Sequence, residues 1–88
     1  MERVGQIVRS LAGCDKGKLM VIVGVDENGL LLLANGRDRK LEAPKKKKEK
    51  HAAPVEKAGR LPAEQMLTNR GIRQALRRVE TFLATEKG

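Results

Sequence analysis

The run Leu19-Met-Val-Ile-Val-Gly-Val25 constrains this chain more than any other feature. Seven residues are far too few to cross a bilayer, which takes about 20. Three valines and an isoleucine favour extended backbone over helix. A buried helical segment is the alternative, and Gly17 and Gly24 weigh against it. A nearly continuous apolar strand must be covered on both faces, in a layered sheet or in a sheet that wraps on itself. Asn28-Gly29 follows as a hairpin signal that supplies two positive-φ residues. Leu30-Leu-Leu-Leu-Ala34 then reads as the returning strand, and Asn35-Gly36 as a second tight turn.

These signals extend to both sides. Gln6-Ile-Val-Arg-Ser-Leu11 reads as a first strand, and Arg39-Lys-Leu-Glu-Ala43 as another, with Leu41 turned inward and Pro44 as its stop. His51-Ala-Ala-Pro54 reads as a short closing strand at an edge, where proline is tolerated. Four or five short antiparallel strands in about fifty residues escape the open-edge problem by closing into a small barrel.

The second part changes character. Residues 55–68 are polar, contain Gly59 and Pro62, and read as a linker. Pro62 suits the first position of a short helical turn, and Thr68 or Asn69 suits an N-cap. From there, Ile72, Ala75, Leu76, Val79, Phe82 and Leu83 fall on one stripe of a helix of about fifteen residues, ending at Lys87-Gly88. Arg70, Arg73, Arg77 and Arg78 occupy its other faces. The stripe either packs on the barrel or docks on a partner. The expected organisation is a barrel over 1–54, a linker over 55–68 and a basic amphipathic helix over 69–88.

Charge narrows the function. Nineteen Lys and Arg against eleven Asp and Glu give +8 in 88 residues, an electrostatic footprint for a polyanion. The absence of Trp and Tyr, with one Phe, argues against platforms that stack successive single-stranded bases on aromatic rings. Phosphate and shape contacts remain. A lone cysteine, Cys14, fits a reducing compartment, and no signal peptide or membrane span is legible, so a cytoplasmic monomer is expected. His51 has no cysteine or histidine companions for a metal site. Asp26 and Glu27 are neighbours that point to opposite faces of a strand and form no acid/base pair. No catalytic residues, metal or cofactor are expected.

Gly13-Cys-Asp-Lys-Gly-Lys18 needs separate treatment. A phosphate-binding P-loop has four residues between its glycines and a Ser or Thr after the lysine. Here three residues intervene and Leu19 follows, so no hydroxyl stands ready for Mg²⁺. The loop also precedes a strand where a P-loop opens a helix. The alternative is a turn between two strands, with Gly17 in a conformation that side chains disfavour. Lys16 and Lys18 then project at the bend.

Gly5-Gln-Ile-Val-Arg-Ser-Leu-Ala-Gly13, the Gly17-Lys18 turn and the apolar run after it resemble a KOW motif. Together with Asn35-Gly-Arg-Asp-Arg-Lys-Leu-Glu-Ala-Pro-Lys45, residues 3–54 are similar to the single-KOW RNA-binding proteins of bacteria, relatives of KOW-containing large-subunit ribosomal proteins. Met20 departs from the pattern, since many KOW motifs carry a further glycine there. The resemblance implies an SH3-like barrel and binding of structured RNA, ribosomal RNA foremost, with ribosomal proteins as neighbours. It places Arg9, Lys16, Gly17 and Lys18, and the second turn with Arg37, Arg39 and Lys40, on the RNA side. The block Lys45, Lys46, Lys47 and Lys48 is a solvated loop, a phosphate-contacting arm or a targeting tag. The alternative function is a protein–protein adapter of the transcription or translation machinery that uses the stripe Ile72–Leu83.

Overall fold

A computed structural model describes residues 3–87. Five strands, β1 (Ile7–Ser10), β2 (Leu19–Val25), β3 (Leu31–Ala34), β4 (Lys45–Lys47) and β5 (Ala52–Pro54), form one antiparallel sheet, followed by a helix α1 (Asn69–Lys87). The order across the sheet is β4-β3-β2-β1-β5. The expected Gly88 helix stop lies outside the described residues.

Register explains which side chains are buried. Ile7 faces Val21, and Val21 faces Ala34. With Leu19 they bury one face of the sheet against Leu61 and against Ile72, Ala75 and Leu76 of α1. Val8 faces Met20 and Ile22 faces Leu33 on the other side. A register shift between Ile22 and Gly24 inserts one residue, so Val25, paired with Leu31, also lies on this second face. Val8, Met20, Ile22, Leu31, Leu33 and Ala52 bury one another there. Met20 is fully buried in this cluster.

Among the described residues no helix contributes to that second cluster, and the sheet curls to cover it. Lys47 measures the curl. It pairs with Leu31, which pairs with Val25 at the far end of β2. In a flat sheet that row lies about 20 Å from the row of Ser10. Yet the Lys47 ammonium donates to Ser10 Oγ at 3.0 Å and to the Ala12 carbonyl at 2.7 Å. The pairing still ends at β4 and β5, which are not paired to each other, so the ladder is open where a closed barrel is expected. The three-residue turn Glu49–His51 joins these edges, and the Leu11 N–H donates to the His51 carbonyl.

Several local expectations need correction. The Arg39–Ala43 strand does not form, and the strand that pairs with β3 is Lys45–Lys47. The reason is a competing partner: the Leu41 N–H donates to Asn69 Oδ1 at 2.8 Å, and Asn69 Nδ2 donates to Glu42. Residues 41–42 therefore turn against the start of α1, and Leu41 packs on the core beneath it. Both Asn-Gly turns use one positive-φ residue, the glycine, because asparagine or aspartate side chains supply the other constraint. Asp26 Oδ1 accepts from the N–H groups of Asn28 and Leu30, so the hairpin is a tight turn followed by left-handed Gly29. Asn35 Oδ1 accepts in the same way from Arg37 and Arg39.

Residues 55–68 join sheet and helix without standing off from either. Leu61 is buried, its N–H donates to the Gly5 carbonyl, and Val55 donates to Ile7. Pro62 flanks the turn Ala63–Met66 one position earlier than expected. Thr68 is the N-cap of α1: its Oγ1 accepts from Gly71 N–H at 2.9 Å. The helix runs 19 residues, about one turn longer than the fifteen or so expected.

Candidate nucleic-acid interface

The glycine loop is short and strongly determined. Gly13 and Gly17 have φ of +78° and +87°, and the Gly17 N–H donates to the Ser10 carbonyl at 2.8 Å. Arg9, on β1, donates through its guanidinium to the Gly17 carbonyl at 2.7 Å. Asp15 faces inward and is 1 % exposed. Its carboxylate accepts from Arg39 Nε at 3.2 and 3.4 Å. A second tie runs from Lys18 Nζ to Asp38 Oδ2 at 2.6 Å.

These two ion pairs fasten the 13–18 loop to the 35–39 turn, 20 or more residues away in the chain. Lys18 and the Asn35 carboxamide hold the Asp38 carboxyl at about 2. The same bond raises the Lys18 ammonium above its ordinary value. The turn is seated in its own right. A Cβ on Gly36 would stand 2.3 Å from the Asn69 carbonyl oxygen, and Arg73 donates to the Gly36 carbonyl at 2.7 Å.

The anticipated site residues therefore divide. Arg9, Gly17, Lys18, Arg37 and Arg39 come together on the joined loops. Arg9, Lys18 and Arg39 spend hydrogen bonds on holding that surface, whereas Lys16, Arg37 and Lys40 are exposed and make no side-chain hydrogen bond or ion pair among the described residues. The lysine block does not act as one arm. Lys47 is buried and points into the curl, which removes it from the interface. Lys46 lies 3.7 Å from Asp26, at the other hairpin. Lys45 is half-buried and Lys48 is exposed.

No family model matches the chain and no curated protein matches it. Among the described residues no helix is long and apolar enough to cross a membrane, and no group of three or more metal-ligating side chains gathers.

Two residues join the site that sequence reading leaves out. Arg73 and Arg77 of α1 line an open groove of about 380 Å³ together with Lys18, Arg37 and Asp38. Their signal is present in the sequence as arginines one position C-terminal to the buried Ile72 and Leu76. Nothing in the sequence says which face of the sheet the helix covers, so their neighbours cannot be named from it.

Proposed function

We propose that this chain is a single-KOW, SH3-like RNA-binding protein that docks structured RNA through the joined 13–18 and 35–39 loops. The observation that carries the reading is the pair of cross-links Asp15–Arg39 and Lys18–Asp38. They join the two loops into one surface, from which Lys16, Arg37 and Lys40 project. Rigid spacing of cations suits recognition by shape and phosphate position. The strand order and the curl measured by Lys47 suit an SH3-like barrel. Ribosomal RNA in the cytoplasm, bound by a monomer without catalysis or cofactor, is the setting this reading entails.

The adapter reading needs the apolar stripe of α1 to be free. Ile72, Ala75 and Leu76 are buried under the sheet, Val79 and Leu83 pack beside them, and Phe82 alone of the six stripe residues is exposed. This favours RNA docking over an adapter built on that stripe.

Salt titration tests the proposal. Affinity for a structured RNA should fall with salt at a log–log slope of about −3 to −4, corresponding to four or so phosphate contacts. The Lys16→Glu variant should bind about tenfold more weakly with an unchanged melting temperature. No binding at low salt, or a flat slope, would sink the proposal.

A further inference from the structure

The groove between the 35–39 turn, the start of β2 and α1 has contents that phosphate docking does not use. Its size, about 380 Å³, lies at the small end of ligand sites. Leu19 and Leu76 supply an apolar floor. Arg37 and Arg77, on opposite walls, are exposed and free of partners among the described residues. Arg73 is held in place by its bond to the Gly36 carbonyl and so offers a fixed guanidinium plane. Among these cations sits Glu80, a carboxylate that lines the groove and makes no bond to any described residue.

A free carboxylate opposes a polyanion unless it receives hydrogen bonds from it. Guanine is the one base whose Watson–Crick edge presents two adjacent N–H donors, N1–H and N2–H, matching the two oxygens of a carboxylate. The other bases do not. A groove of about 380 Å³ has no room for a duplex, whereas an unpaired base can enter it. A guanidinium plane can stack a base in place of an aromatic ring, in a chain with a single Phe and no Trp or Tyr.

We propose that this groove takes one unpaired guanosine of the bound RNA, with its phosphate on Arg37 and Arg77, its base against Arg73 and the leucine floor, and its Watson–Crick edge on Glu80. The inference rests on the RNA-binding reading and gives it a base preference.

The test uses the full chain and three labelled RNAs of one stem: a hairpin with a single loop guanosine, the same hairpin with uridine there, and a blunt duplex. The guanosine hairpin should bind about tenfold tighter than the uridine hairpin, as a bidentate base contact allows. Glu80→Ala should abolish that preference while strengthening binding to the duplex, because it removes a repulsive charge. Weaker binding of the guanosine hairpin beside stronger binding of the duplex is the signature, which a merely repulsive carboxylate does not produce. Equal affinity for the two hairpins, or an alanine variant that strengthens all three RNAs alike, overturns the guanosine site and leaves RNA docking standing. Failure of all three RNAs to bind at low salt removes RNA docking itself, and the groove's occupant with it.

Discussion

Asp15 and Lys47 carry opposite lessons about charged residues. Asp15 lies within a short surface turn, yet it is buried and faces a half-buried Arg39. Removing one member of such a pair leaves the other uncompensated, and the more buried member suffers more. Arg39→Leu, which strands the Asp15 carboxylate, should therefore cost about 2–3 kcal/mol, whereas Asp15→Asn should cost about 1 kcal/mol. Urea denaturation of the two variants decides it, and equal costs would mean that the pair is screened. Lys47 is read as part of a phosphate-contacting block, yet it bonds only to neutral acceptors inside the curl. Lys47→Met keeps the stem and loses the ammonium. It should cost about 1 kcal/mol in stability and change RNA affinity by less than about twofold, whereas Lys16→Glu changes affinity and not stability. Measuring both quantities for both variants separates a structural lysine from a docking one.

At the scale of elements, the 35–39 turn links the sheet, the glycine loop and the helix. Asp38 is the titratable part of that link. Its carboxyl lies at about 2 in the folded chain against an ordinary 3.8, so the folded state binds its proton less readily than the unfolded one. Its contribution to stability is complete above about pH 4 and disappears as pH falls through about 2. Asp26, lowered chiefly by the backbone N–H of Leu30 and also by that of Asn28, acts in the same direction. Wild type should melt about 2–4 °C above Asp38→Asn at pH 6, a modest gap because the pair is half exposed. The gap should close on acidification from pH 4 to pH 2. A gap that persists at pH 2 would place the stabilisation elsewhere. The missed element belongs to this scale too. Arg39–Ala43 has a strand-like pattern, but strand formation depends on what offers hydrogen bonds to the Leu41 N–H. That partner, Asn69, is 28 residues away.

For the whole molecule, the central fact is that α1 covers one face of the sheet. A unit of about fifty residues is near the lower limit of a self-sufficient core, and Ile7, Leu19 and Val21 lie under the helix. Ending the chain at residue 68 uncovers them. The truncated chain should lose cooperative unfolding by circular dichroism and gain dye binding, and a sharp native-like transition would show that the curled face suffices alone.

The local pattern determined much of this. β2 keeps its anticipated bounds, β1, β3 and β5 fall within theirs, the turns sit at their glycines, and Thr68 caps the helix, because alternation, turn chemistry and capping act over a few residues. The +8 charge and the cationic glycine loop are likewise written in the chain. Tertiary structure alone decided which lysine is buried, which acid meets which base, that the helix docks, and that Arg73 and Arg77 stand beside Lys18 and Arg37. Each of these depends on how the sheet curls and which face the helix covers. Both are set by the summed burial of many apolar side chains, a quantity that no short stretch of sequence contains.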